Sequence, residues 1–141
     1  MSSFSVAVGA GTLRDEAGSV ASFPHAWTAD GVTVDALFTG AHLFHLAAAG
    51  CVLNDVFREA ERLGVRVDGV RVRASGDFDT EKWESTGVNY FVDIDGPASS
   101  SELESLLDTV DAVAEIPKAM RAGARVERAR IWPDAGSDQV R

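Results

Sequence analysis

The stretch GAHLFHLAAAGCVLNDVFREAERLG, residues 40–64, decides how the rest of the chain is read. From about Ala41 to Leu63 its apolar residues recur at helical spacing, and Gly64 supplies the stop. One stripe carries Leu46, Ala49, Gly50, Leu53, Val56, Phe57 and Ala60. The opposite stripe runs through Phe44, Ala47, Ala48 and Cys51 into Asn54, Asp55, Arg58 and Arg62. The first half of the helix is therefore apolar nearly all round, the pattern of a helix buried on every side. A chain this short has trouble wrapping one helix alone, so the pattern predicts a homodimer, with Ala47, Ala48, Ala49 and Gly50 allowing close approach.

Around this helix the chain reads as one domain. Its 141 residues are enough to bury a core without disulfides or metals. The same helix holds the one cysteine, so no internal disulfide forms and nothing in cysteine usage argues for export. Met1 leads into SSFSVAVGAGTLRDE, which has neither the basic start nor the apolar stretch of a signal peptide, and no apolar run spans a bilayer. The expectation is a cytoplasmic protein that does not bind membranes. A net charge of −9 repels polyanions and speaks against a nucleic-acid partner.

Outward from the helix, residues 4–10 alternate as a strand, LRDEAGS turns, and VASFPHAWT suits an edge strand bent at Pro24. VTVDALF, residues 32–38, is a short strand or the lead into the helix. VRVDGVRVRASGDFD (65–79) and GVNYFVDIDG (87–96) read as strands, with EKWESTG as the loop between. Ser99 or Ser101 caps a helix whose buried face is Leu103, Leu106, Leu107, Val110 and Val113. Pro117 is expected to break it and begin a short second helix that Gly123 closes. ARVERARIW, residues 124–132, alternates like a last strand, and residues 134–141 read as a tail beyond a domain of residues 1–133. The order of strands, long helix, strands, helix pair and strand is α+β, a long central helix packed on an antiparallel sheet.

Cys51 is the first candidate for chemistry. A free cysteine in an alanine-rich run often only fills space. Against that, Cys51 lies on the stripe that continues into Asn54, Asp55 and Arg58. Arg58 is two turns away, roughly 10 Å along the axis, so a cation for the thiolate must come from elsewhere. Arg14 is the only lysine or arginine before Arg58. His42 and His45 are three apart, and either one near the thiol would serve as a base. Cys51 and His45 stand about 120° apart around the helix, so they would meet only across a dimer. With His25, the two histidines make a weak candidate for a metal, without any recognised spacing, and the expectation is no metal and no cofactor. The acidic loop GDFDTEKWE reads as a solvated surface. There is no glycine-rich phosphate loop and no nucleophile-elbow motif.

Four segments in order resemble the OsmC/Ohr family of small dimeric thiol proteins: GAHLFHLAAAGC, RLGVRVDGVRVRASGDFD, IPKAMRAG and ARVERARI. The resemblance covers roughly residues 37–131. It implies an OsmC-like fold, with two protomers intertwined around the central helices. It also implies reduction of organic hydroperoxides by a cysteine whose pKa an arginine lowers, followed by resolution through a second cysteine. Cys51 matches the attacking cysteine. The second cysteine falls at Ile116 and is missing. The glutamate that holds the arginine falls at Ala41 and is missing too, with His42 the nearest polar substitute. Arg14 is the sole candidate for the activating arginine.

The reading is an OsmC-like homodimer lacking the second cysteine. The activity expected from the resemblance is that of a one-cysteine peroxidase on organic hydroperoxides through Cys51, with Arg14, His42 and His45 assisting and an external thiol as reductant. Phe44, Phe57 and Ile116, with Leu46, are expected to wall a pocket for a hydrophobic small molecule. The alternative is a family member that binds or transforms such a molecule at the dimer interface without peroxidase chemistry.

Overall fold

The computed structural model describes residues 4–132. The elements run β1 (Phe4–Gly11), β2 (Ala21–Phe23), β3 (Val32–Asp35), α1 (Gly40–Leu63), β4 (Gly69–Asp79), β5 (Glu84–Asp95), α2 (Ser100–Val113) and α3 (Glu115–Ala122). The strands form one sheet in the order β2-β3-β1-β4-β5, every pair antiparallel. The α+β architecture expected from the sequence is the one observed.

Period-two alternation sorts the sheet into two faces. Val6, Val8 and Ala10 of β1 and Val70, Val72 and Ala74 of β4 are buried beneath the helices. Val88, Tyr90, Val92 and Ile94 extend that face along β5. Ala49, Val52, Leu53 and Val56 of α1 and Leu106 and Val110 of α2 close the core from above. Each fully buried leucine contributes about 2 kcal/mol. The other face presents Arg71 and Arg73, and the guanidinium of Arg73 lies 5.0 Å from the Phe91 ring centroid.

Local signals set the helix ends. Thr39 accepts the backbone N–H of His42 at the start of α1, and Gly64 takes the left-handed conformation (φ 69°) that ends it. Ser99 accepts from the Glu102 N–H, while its hydroxyl donates to the Glu102 carboxylate.

Three local expectations need correction. Residues 124–132 form no strand: Val126, Ile131 and Trp132 are 90%, 84% and 87% exposed, and among the described residues no strand pairs with them. Strand alternation needs a neighbouring edge to become a strand, and none of the described strands supplies one there. The break between α2 and α3 falls at Ala114, three residues before Pro117, which sits inside the first turn of α3 where its missing N–H costs nothing. β5 starts at Glu84, so pairing with Asp79 draws part of the expected loop into the ladder.

A single chain also does not wrap α1. Ala47 is exposed, and Leu43, Leu46 and Gly50 are only partly covered. The expected tail from residue 134 lies outside the described residues. Among those described, no helix is long and apolar enough to cross a membrane.

Candidate functional site

Cys51 faces the junction of α1 with α3. Its thiol donates to Oε1 of Glu115, the first residue of α3, at 3.7 Å. The backbone N–H of Ile116 points at the same sulfur. Burial pushes the thiol above its ordinary value. The Ile116 N–H pulls it down, and the charges of Asp55 and Glu115 push it up again.

Asp55 lies one turn beyond Cys51 on α1 and is 2% exposed. Burial raises its carboxyl and Arg58 lowers it. Arg58 is the cation of this corner. It stands 3.1 Å from Asp55, 3.3 Å from Glu59 and 4.0 Å from the second oxygen of Glu115. Asp55 Oδ2 has this charge beside it but accepts no well-aligned hydrogen bond. Cys51, Asp55 and Glu115 each bring one ligand atom within 4.8 Å of the others, and Arg58 supplies their countercharge.

The other expected site residues take separate places. Arg14 lies in the turn after β1 and pairs with Glu16 at 2.7 Å. The next residue, Asp15, reaches Thr33 and Arg71 on the face of the sheet away from α1. Among the described residues Arg14 has Glu16 as its ion-pair partner, and the cation beside Cys51 is Arg58. His42 closes the start of α1, with its Nδ1 2.7 Å from the Thr39 hydroxyl.

His45 is fully buried, and its Nδ1–H donates to the Ala41 carbonyl at 2.7 Å. Phe4, Phe44 and Phe78 surround its ring. Its Nε2 has no partner and faces Gly76, where a Cβ would lie 2.5 Å away. His25 bonds Thr28 and Asn54 and packs on Trp27 and Phe57. The three histidines thus share no ligand position, and none contacts Cys51.

A cavity of about 320 Å³ opens beside the thiol corner, lined by Phe44 and Ala48 of α1, Val88 and Tyr90 of β5, and Pro117 and Met120 of α3. Ala48 is one turn before Cys51, and Pro117 directly follows Ile116, so the cavity adjoins the thiol without containing it. Of the residues expected to wall a pocket, Phe44 lines this one. Phe57 does not: it walls a separate surface depression with Trp27. Ile116 packs against the core and offers the thiol its backbone. At the cavity's rim the Tyr90 hydroxyl donates to Asp111, which also holds Arg121 at 3.0 Å. Burial, then the Asp111 contact, pushes the Tyr90 phenol well above its usual range.

Sequence reasoning placed Asp55 on the stripe of Cys51 but assigned it no role. It missed Glu115, whose signal was its place next to the position where the resemblance puts a second cysteine.

The fold is a small α+β domain with one buried cysteine at a helix junction, beside a cavity. A family model described as OsmC-like protein matches residues 34–128, and the chain belongs to the OsmC-like family. Among solved structures it is similar to an OsmC-like hydroperoxide resistance protein from Jannaschia sp. CCS1, at 14% identity and a TM-score of 0.49, covering 94% of this chain and 97% of that one. No curated protein matches it.

Proposed function

We propose that this chain is a one-cysteine peroxidase that reduces apolar organic hydroperoxides through Cys51. The observation that carries the reading is the placement of the thiol one helical turn from an apolar cavity, with a backbone N–H already directed at the sulfur. The sulfur attacks the terminal peroxide oxygen; the S–O bond forms as the O–O bond breaks. Cysteine becomes sulfenic acid, and the hydroperoxide leaves as its alcohol. With no second cysteine in the chain, two equivalents of an external thiol return the sulfenic acid to the thiol, releasing water and a disulfide.

The working unit in this proposal is a homodimer. Its support is the open face of α1 at Leu43, Ala47 and Gly50, and the unpaired run with Val126, Ile131 and Trp132 exposed. A second reading, a binder in which the thiol only lines the pocket wall, is favoured by the upward push on the Cys51 thiol.

Intact mass after brief exposure to cumene hydroperoxide, with a sulfenic-acid trap and Cys51→Ser as control, separates the two. Trapping on Cys51 well ahead of a free thiol is the expected result. Trapping no faster than a free thiol overturns the peroxidase and leaves the binder.

A further inference from the structure

We propose that Glu115 is the proton carrier of Cys51, taking the thiol proton as sulfur attacks and delivering it to the departing alkoxide. This rests on the peroxidase reading above and gives that site its acid–base group.

The geometry supplies each part. The Glu115 carboxylate already accepts from the thiol through Oε1, and its Oε2 lies 4.0 Å from Arg58. Asp55 holds Arg58 at 3.1 Å, so the cation that faces the Glu115 carboxylate is itself anchored. Glu115 is largely exposed, so the oxygen of an incoming hydroperoxide can meet the carboxylate that holds the thiol proton. Asp55 is buried and tied to Arg58, and no histidine contacts the sulfur. Among the described residues Glu115 is thus the one solvent-facing base bonded to Cys51. α3 has no side-chain cap at Ala114, and the Ile116 N–H in its first turn is ready to receive the thiolate.

The step balances without another reactant. The S–H proton moves to Glu115 as the S–O bond forms. The O–O bond breaks, sulfur loses two electrons to the peroxide, and Glu115 passes its proton to the alkoxide. The carboxylate ends as it began, and a poor leaving group departs as the alcohol. This arrangement also accounts for a reactive cysteine whose free thiolate the surroundings disfavour, because the proton need leave only during attack.

The test compares wild type with Glu115→Gln and Glu115→Asp in two reactions at pH 7. Oxidation by cumene hydroperoxide is followed by sulfenic-acid trapping. Alkylation by iodoacetamide is the second reaction, and its iodide leaves without a proton. Glu115→Gln removes a negative charge beside sulfur, so alkylation is expected to speed up several-fold. Peroxide oxidation is expected to fall by about 100-fold, the low end of ordinary acid–base effects, with Glu115→Asp recovering part of it. Peroxide oxidation of Glu115→Gln that equals wild type, or rises in step with alkylation, overturns the proton carrier and leaves the peroxidase standing. Wild type no faster than a free thiol removes both.

Discussion

Helix α1 carries two polar side chains that the sequence offered together as chemistry, His45 and Cys51, and the fold treats them in opposite ways. His45 is enclosed by Phe4, Phe44 and Phe78, and its free nitrogen faces the backbone at Gly76. Cys51 faces a corner of charged groups, and its hydrogen-bond partner reaches solvent. Aromatic walls fix a ring and leave no path for a substrate. A charged corner with one exposed member leaves a path and a route for a proton. Distance along the helix says little about function here; what each face meets decides it.

The largest expected effect breaks the histidine end. A Cβ at residue 76 would lie 2.1 Å from the Gly87 carbonyl and 2.5 Å from His45 Nε2, and neither backbone nor a boxed ring yields easily. Gly76→Ala should cost about 3 kcal/mol in denaturant unfolding. Next, Arg58→Ala breaks the thiol end by leaving Asp55 buried beside Glu115 without its cation. About 1–2 kcal/mol of stability should go, since the arginine is half exposed. Alkylation of Cys51 at pH 8 should slow as the thiol is pushed further up.

Thr39→Ala sharpens the contrast. It removes the cap of α1 for about 1 kcal/mol and should leave Cys51 alkylation unchanged, because the cap lies at the histidine end. The smallest effect concerns the rim of the cavity. The Tyr90 hydroxyl, then Arg121, hold the Asp111 carboxyl below its ordinary value. A depressed carboxyl adds stability that is present above the unfolded value and lost as pH falls through the folded one. Unfolding midpoints measured below about pH 4 should therefore drop less in Asp111→Asn than in wild type.

Much of this fold was legible because its signals are local. The span Ala41–Leu63 read from periodicity differs by one residue from the observed Gly40–Leu63, and Gly64 and Ser99 act where their chemistry suggests. The family resemblance also holds. What escaped depends on partners distant in sequence. Residues 124–132 have a strand's pattern and no strand partner among the described residues. Arg14 was chosen as the only early cation, and in the fold it pairs with Glu16 in the turn after β1, while Arg58 is the cation of the thiol corner. Glu115 is 64 residues from Cys51, and no spacing rule connects a helix interior to the first residue of another helix. The cysteine was legible as a candidate, whereas the carboxylate beside it became visible only once α3 was placed.

The strand order has a consequence for how the chain reaches this state. β1 lies at the centre of the sheet, between β3 and β4, yet it is the first element in sequence. Its pairing with β4 joins Gly11 to Gly69 and Phe4 to Gly76, across the whole of α1. On a ribosome, β1 emerges with its apolar face bare. It can pair on one side with β3 but must wait for some 60 further residues before its other side is filled. Closing so long a loop costs entropy before any ladder bond repays it, and such non-local pairing slows folding. Until it happens, the most apolar strand of the protein has one unprotected edge, and aggregation competes with folding over that interval.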